Sequence, residues 1–233
     1  VGGNVMPLGV IPTPGVAYLT VQEKADAGIV ISASHNPFEH NGIKVFNGQG
    51  YKLSDEMELR VEELVLAYAH MDIKTGSEIG KCLRGMKVLK QDYIRHLRST
   101  VSGELSGLRV LVDCANGAAS ATAPELFTRL PLQADFINMD PDGTNINDHC
   151  GSTHMDILAK AVAAGKYDLG IAFDGDADRM LAVDENGNLV DGDQIMSIIG
   201  NFMKEQGTLK KDMIVVTVMS NLGMTLMAQK EGI

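Results

Sequence analysis

Short apolar runs alternate with segments of helical periodicity along most of the chain. Apolar, β-branched runs flanked by polar loops are typical of buried strands, and apolar residues three or four positions apart indicate amphipathic helices. These patterns predict strands at residues 27–32, 109–113, 134–139, 168–173 and 213–218. They predict helices at residues 54–71, 118–130, 155–164 and 192–204, and a last helix that begins at Asn221. The alternation indicates an α/β fold.

The order of the elements indicates how the chain is divided. Strands joined through helices need crossover connections, so we expect consecutive α/β units built mainly on parallel sheets. The dipeptide Asn186-Gly187 predicts a hairpin turn, which would make the sheet mixed. The Gly-rich, polar segment 76–85 is the candidate linker. We therefore divide the chain into units 1–82, 83–187 and 188–233, of which the last is too small to hold a core of its own.

Composition narrows the range of partners and compartments. The chain has 20 Lys and Arg against 30 Asp and Glu, and this net charge of −10 argues against nucleic acid or an acidic membrane as a partner. No run of about 18 apolar residues predicts a membrane span, and no signal peptide is indicated. Three cysteines without a CxxC pair favour free thiols and a cytoplasmic protein. Both ends of the chain look cut, so we expect a fragment, and the oligomeric state is unknown.

The strongest chemical signal is the aspartate loop, residues 174–179, which follows an apolar strand with the sequence DGDADR. On a curved loop, Asp174, Asp176 and Asp178 can converge on one hard cation, and Mg²⁺ prefers oxygen ligands of this kind. A solvated acidic turn is the ordinary alternative, although Arg179 offsets only one of three repelling charges. Calcium binding of EF-hand type is a second alternative, but Arg179 stands where that loop needs glycine.

The second candidate site is the serine loop, residues 31–37, with the sequence ISASHNP. Pro37 keeps Asn36 out of helical geometry, so that Ser34 is presented on an exposed turn. A phosphorylated serine would be a dianion with oxygens able to ligate a metal. A capped polar turn explains such a loop equally well. A Ser-His-Asp hydrolase is less favoured because His35 is the immediate neighbour of Ser34 and their side chains tend to diverge.

The two loops occur together within longer motifs, ISASHNPFEHNGIKVF from residue 31 and IAFDGDADR from residue 171. With them, the chain resembles the α-D-phosphohexomutase superfamily over essentially its whole length. Further motifs that carry the resemblance are VGGNVMPLGVIPTPGVAYLT, VDCANGA, DGTNIN, NDHCGSTH, VDGDQIM and TVMSNLGM. The resemblance implies four domains around a central cleft, three of them similar α/β units. It also implies that the chain lacks the start of domain 1, most of domain 3 and all of domain 4, and that it is inactive alone.

The resemblance assigns roles to the residues of the two loops. It implies that Ser34 is phosphorylated and donates its phosphoryl group, and that one Mg²⁺ per active site binds the three aspartates and an oxygen on Ser34. It implies a phosphosugar substrate, expected to be glucosamine 6-phosphate, converted to the 1-phosphate through a 1,6-bisphosphate for cell-wall precursor synthesis. Alternatives are mannose or glucose phosphates as substrates, a phosphatase-like hydrolase, or a fragment that only binds phosphosugar or metal.

Three further residues are candidates for the chemistry. Arg179 is expected to direct its planar donors at the transferring phosphate, with an ion pair to an aspartate as the alternative. Lys44 is the candidate general base or acid at the sugar hydroxyl, which would need a lowered pKa. His35 is expected to orient the serine loop or to shuttle a proton.

Overall fold

The computed structural model describes residues 2–67, 74–83 and 85–233 of the chain. Within these ranges, helices and strands follow one another in the order of an α/β protein, which confirms the predicted fold class. The strands are β1 (Ala27–Ser32), β2 (Gly42–Asn47), β3 (Arg109–Asp113), β4 (Gln133–Ile137), β5 (Leu169–Phe173), β6 (Met180–Asp184) and β7 (Leu189–Val190). The helices are α1 (Thr13–Gln22), α2 (Asp55–Leu66), α3 (Met86–Thr100), α4 (Ala123–Phe127), α5 (Met155–Gly165), α6 (Gly192–Glu205) and α7 (Leu222–Glu231).

The first part of the chain is an antiparallel hairpin, β1–β2, packed against helices α1 and α3. Side chains alternate along a strand, so Val30 faces the helices while its neighbours Ile29 and Ile31 are exposed. Leu89 and Tyr93 of α3 complete the core. Helix α3 was not predicted, although its sequence follows the candidate linker directly. Because α3 also contacts α4 through its polar side, it joins this hairpin to the sheet that follows.

The second part is a five-stranded sheet in the order β4-β3-β5-β6-β7. Strands β3, β4 and β5 are parallel, whereas β6 and β7 are antiparallel to their neighbours, so the sheet is mixed. The hairpin turn at Asn186-Gly187 is confirmed, and Gly187 takes the positive φ of 81° that the turn requires. Helix α4 covers one face of the sheet and α5 covers the other. Strand β3 is therefore buried on both faces, which fixes the position of the loop at its carboxyl end.

The predicted helix at residues 118–130 is divided in two. A short 3₁₀ helix spans Ala118–Ala121, and α4 begins only at Ala123. Pro124 lies in the first turn of α4, where its missing N–H costs nothing, but it disfavours helical geometry in the residues before it. Helix α4 ends at Phe127, three residues before the end of the predicted range, and Pro131 follows shortly after it.

The predicted strand at residues 213–218 is wrong. These residues form no strand, residue 218 lies in a turn, and Val215 and Val218 are almost fully exposed. A strand needs a neighbour for its backbone hydrogen bonds, and no strand of the described ranges lies beside this segment. The flanking helices α6 and α7 form as predicted, and Asp191 and Gln194 make a reciprocal capping box at the start of α6.

Helix α2 begins where predicted, because Ser54 accepts a hydrogen bond from the backbone N–H of Met57. It ends at Leu66, and the remaining residues of the prediction, 68–71, lie outside the described ranges. None of its residues is buried. Across the described residues, no helix is long and apolar enough to cross a membrane. Cys114 and Cys150 are buried free thiols and Cys82 is an exposed one.

Candidate active site

The aspartate loop connects β5 to β6 and lies at the carboxyl end of a central parallel strand. Ala177 takes a positive φ of 53°, which turns the chain sharply. One carboxylate oxygen from each of Asp174, Asp176 and Asp178 lies within 4.8 Å of the other two. Among the described residues, this is the one cluster of at least three His, Cys, Asp or Glu side chains close enough to share a metal ion. These carboxylates could hold a metal ion. Because the loop is flanked by strands, the EF-hand hypothesis, which needs flanking helices, is wrong.

Asp174 is fully buried at the base of the loop. Burial raises the pKa of its carboxyl group to about 6, against a hydrogen bond from the backbone N–H of Arg179, which lowers it. The negative charges of Asp176 and Asp178 raise this pKa further. A bound cation would stabilise the charged form of Asp174, which burial disfavours. The buried carboxylate of Asp174 is therefore suited to ligate a metal ion.

Asp176 is also buried, but it has charged and polar partners. Its Oδ2 atom accepts hydrogen bonds of 2.5 Å from the hydroxyl of Thr13 and 2.5 Å from the ammonium of Lys44. Burial acts to raise the pKa of Asp176, but these contacts outweigh it and lower the pKa. Its Oδ1 atom has no hydrogen-bond partner within the described part of the chain. An ionised, buried carboxylate with one unpartnered oxygen fits a cation ligand.

Lys44 reaches the aspartate loop from strand β2, where it stands opposite Val30. Its ammonium lies 2.5 Å from Asp176 and 2.9 Å from Asp178. Burial acts to lower the pKa of Lys44, but hydrogen bonds and charge attraction from the two carboxylates outweigh it and raise the pKa. This direction is opposite to the lowered pKa that we expected of a general base. At neutral pH Lys44 is therefore a cation and a proton donor.

Ser34 follows strand β1 and takes a positive φ of 53°, a conformation that is uncommon outside glycine and asparagine. Its backbone N–H donates to Ser32 Oγ at 2.9 Å, which stabilises the turn. Its own Oγ lies 3.5 Å from Asp174 Oδ2, at the outer limit of a hydrogen bond. The structure thus brings the predicted serine next to the predicted metal ligands, which lie 140 residues away in sequence.

Two glycines allow the serine and aspartate loops to approach this closely. The backbone N–H of Gly175 donates to Ser34 O at 3.1 Å, and a Cβ atom on Gly175 would lie 2.5 Å from that same oxygen. Gly117 packs against Gly175, and a Cβ atom on Gly117 would lie 2.2 Å from Gly175 O. Side chains at these positions would force the backbones apart.

His35 and Arg179 lie together at the exposed mouth of the site. The Nη1 atom of Arg179 lies 3.3 Å from His35 Nδ1, and the Nε atom of Arg179 lies 3.9 Å from Asp178 Oδ1. With 60% of its side chain exposed, Arg179 is not held in a close ion pair. Among the residues described, no histidine ring contacts Ser34 Oγ, so a Ser-His-Asp hydrolase is not supported.

Two residues of the site were not predicted. Thr13, at the start of α1, contacts Asp176 through its hydroxyl and through its backbone N–H. Asn147 lies in the loop between β4 and α5 and donates its side-chain amide to the backbone of the serine loop. Both residues lie within motifs that carry the family resemblance, but their contacts join segments more than 100 residues apart, which local patterns do not reveal.

The chain belongs to the phosphoglucomutase/phosphomannomutase family. Models of the family's alpha/beta/alpha domains I, II and III match residues 1–71, 91–187 and 191–233. These matches include the serine loop in the first range and the aspartate loop in the second.

Within this family, the chain is similar to proteins named phosphoglucosamine mutase. It is 55% identical to that of Acetivibrio thermocellus and 52% identical to that of Ruminiclostridium cellulolyticum, over 100% of the chain in both cases. The chain spans about half the length of these relatives, since it covers 52% of each.

Solved structures share the fold. A phosphoglucomutase/phosphomannomutase family protein of Burkholderia thailandensis aligns with a TM-score of 0.71 at 24% identity, over 88% of this chain and 45% of that one. An Aspergillus fumigatus N-acetylphosphoglucosamine mutase, solved in complex with GlcNAc-6P and magnesium, aligns with a TM-score of 0.54 at 21% identity. That alignment covers 85% of this chain and 53% of the fungal protein.

Proposed function

We propose that the chain provides the phosphoserine and metal site of a phosphoglucosamine mutase, which interconverts glucosamine 6-phosphate and glucosamine 1-phosphate. The observation that carries this proposal is the 3.5 Å approach of Ser34 Oγ to Asp174 Oδ2, within a cluster of three carboxylates. A serine beside a potential metal site, with no histidine partner among the described residues, suits a phosphoryl carrier better than a hydrolytic nucleophile. The 48–55% identity to phosphoglucosamine mutases supports the choice of sugar.

The reaction would use Ser34 twice. The phosphoryl group on Ser34 Oγ would pass to O1 of glucosamine 6-phosphate, the proton of that hydroxyl would replace it on Ser34 Oγ, and a 1,6-bisphosphate would be formed. After this intermediate turns around, its 6-phosphoryl group returns to Ser34, and glucosamine 1-phosphate leaves. Transfer of this kind depends mainly on positioning and on stabilising charge on the phosphoryl oxygens.

The charges of the site support a divalent cation as cofactor. Three carboxylates face two cationic side chains, Lys44 and Arg179, and a phosphate on Ser34 would add about two further negative charges. Mg²⁺ held by Asp174, Asp176, Asp178 and an oxygen of that phosphate would stabilise charge on the transferring group. The unpartnered Oδ1 atom of buried Asp176 fits this assignment.

The remaining side chains would act on the substrate and the leaving group. Lys44, kept charged by Asp176 and Asp178, suits a general acid better than a base. Arg179 is exposed enough to direct its donors to a substrate phosphate, and His35 would hold its guanidinium at the mouth of the site.

The division into units 1–82, 83–187 and 188–233 remains our proposal for the domains. Because the chain covers about half of its relatives, we expect the sugar-recognition and phosphate-clamping elements to lie outside it, and the 233 residues alone to be inactive. A cytoplasmic place, which the free thiols favour, and a role in cell-wall precursor synthesis, which the similarity to phosphoglucosamine mutases suggests, are part of this proposal.

The test uses the full-length protein that carries this sequence. Mass spectrometry is expected to find phosphate on Ser34, and a coupled assay to prefer glucosamine 6-phosphate over glucose and mannose 6-phosphates. Ser34→Ala is expected to abolish turnover. Activity that survives in Ser34→Ala would overturn the mechanism, whereas a preference for mannose phosphate would overturn only the sugar.

A further inference from the structure

Asn147 connects the loop between β4 and α5 to the backbone of the serine loop. Its Nδ2 atom donates to the carbonyl oxygen of Ser34 and to that of Asn36, both at 2.8 Å. Only 6% of the residue is exposed, and its own backbone is fixed by a hydrogen bond to Ala115 O. A single buried amide thus spans the turn that presents Ser34.

The orientation of this amide follows from its surroundings. If the group were rotated by half a turn, Oδ1 would face two carbonyl oxygens, which cannot donate. In the observed orientation both Nδ2 hydrogens are used, while Oδ1 has no partner among the residues described. A buried acceptor without a partner is unfavourable. In the observed orientation, the two hydrogen bonds that Nδ2 donates to the serine loop offset this cost.

We propose that Asn147 is a positioning residue for phosphoryl transfer, an inference that rests on the proposed function of Ser34. Its two hydrogen bonds hold the serine loop in the left-handed turn at Ser34, with Oγ directed towards Asp174. The backbone N–H of Gly175 supplies a second donor to the carbonyl of Ser34 but not to that of Asn36. Without Asn147 the loop can relax, and small displacements of a reacting atom cost large factors in rate.

The test is Asn147→Asp in the full-length protein. Aspartate has the same shape and tolerates the positive φ of 58°, but it replaces both donors with an acceptor that repels the two carbonyls. We expect kcat to fall by about 10- to 100-fold. KM for the phosphosugar should change less than about twofold, because the side-chain hydrogen bonds of Asn147 go to the backbone of the serine loop and not to Arg179 or His35 at the mouth of the site.

Asn138→Asp is the matched control. Asn138 is also an asparagine with a positive φ, of 51°, in the same sheet unit, and within the described ranges its side chain donates no hydrogen bond to the serine loop. We expect this variant to keep the kcat of the unmodified protein. If Asn147→Asp does not fold, Asn147→Gly removes the amide while glycine accepts the backbone conformation.

The outcomes separate this inference from the function on which it rests. If the unmodified protein carries no phosphate on Ser34, the proposed function fails first. If Ser34 is phosphorylated and essential but the folded Asn147 variants keep kcat, only the positioning role is overturned. The positioning role would also be overturned if the Asn147 variants lost activity only through a raised KM and a proportionally lower thermal stability, while kcat per folded molecule stayed unchanged.

Discussion

The ammonium of Lys44 lies 2.5 Å from the Oδ2 atom of Asp176, although the two residues are 132 positions apart. Lys44 extends from the β1–β2 hairpin, whereas Asp176 lies in the loop that connects β5 to β6 of the five-stranded sheet. One ion pair therefore joins the serine-loop half of the site to the metal half. It also provides a cation next to a buried carboxylate, which would otherwise be strongly disfavoured.

Lys44→Met tests whether the buried carboxylate of Asp176 depends on the Lys44 cation for its stability. It removes the cation and one of the two side-chain donors to Oδ2 of buried Asp176, so we expect the free energy of unfolding to fall by about 1–3 kcal/mol without metal. Mg²⁺ should restore more stability to this variant than it adds to the unmodified chain, because the ion supplies the missing positive charge. Urea unfolding with and without Mg²⁺ measures both effects.

Lys52→Met is the control for that experiment. Lys52 pairs with Glu58, but both side chains are well exposed, and such surface pairs contribute about 0–1 kcal/mol. Lys52→Met should therefore change stability little and show the same Mg²⁺ response as the unmodified chain. A similar loss in both variants would contradict a special role for Lys44.

The pKa of Asp174 predicts a pH dependence for the metal-free chain. Burial raises this pKa to about 6, above its ordinary value of 3.8, so between these pH values the folded state binds more protons than the unfolded state. Stability from this group is therefore full at low pH and is lost as pH rises through about 6, with a slope of at most about 1.4 kcal/mol per pH unit.

Asp174→Asn isolates this contribution, because asparagine does not titrate. We expect the difference in stability between the unmodified chain and the variant to shift in favour of the variant as pH rises from 4 to 7. Urea unfolding across that range is the measurement. A difference that is independent of pH would show that Asp174 is already ionised at pH 4.

The close approach of Gly117 to Gly175 predicts a steric effect. In Gly117→Ala the new Cβ would lie 2.2 Å from Gly175 O, so the aspartate loop must shift, at a cost of about 1–3 kcal/mol in stability. The same shift should weaken Mg²⁺ binding, which calorimetry measures. Gly192→Ala is the control, since a Cβ there meets nothing within 4 Å and should be neutral or stabilising. Equal effects in the two variants would refute the packing argument.

Local sequence patterns were sufficient for the elements that build the two loops. Strand β1 lies where it was predicted, and β5 begins one residue after the start of the predicted strand 168–173. The serine loop and the aspartate loop follow these two strands as expected. The failures have physical causes outside the local pattern. Residues 213–218 have the composition of a strand, but pairing depends on a neighbour that composition does not reveal. The contacts of Thr13 and Asn147 depend on how distant segments pack.

The direction of the Lys44 pKa shows the same limit. Sequence alone suggested a lysine whose pKa burial would lower. The fold instead places two carboxylates within 3 Å of its ammonium, and they outweigh burial. The sign of the shift depends on the docking of the hairpin against the aspartate loop, which only the three-dimensional structure defines.

The most direct test of the account is the site and metal dependence of protein phosphorylation. The full-length protein, freed of phosphate, is incubated with glucosamine 1,6-bisphosphate with and without Mg²⁺, and the modified residue is located by mass spectrometry. We predict one phosphoryl group on Ser34, gained rapidly only with Mg²⁺ and only when Asp174, Asp176 and Asp178 are all present. Phosphate on another residue, or loading of Ser34 at the same rate without Mg²⁺, would contradict the account.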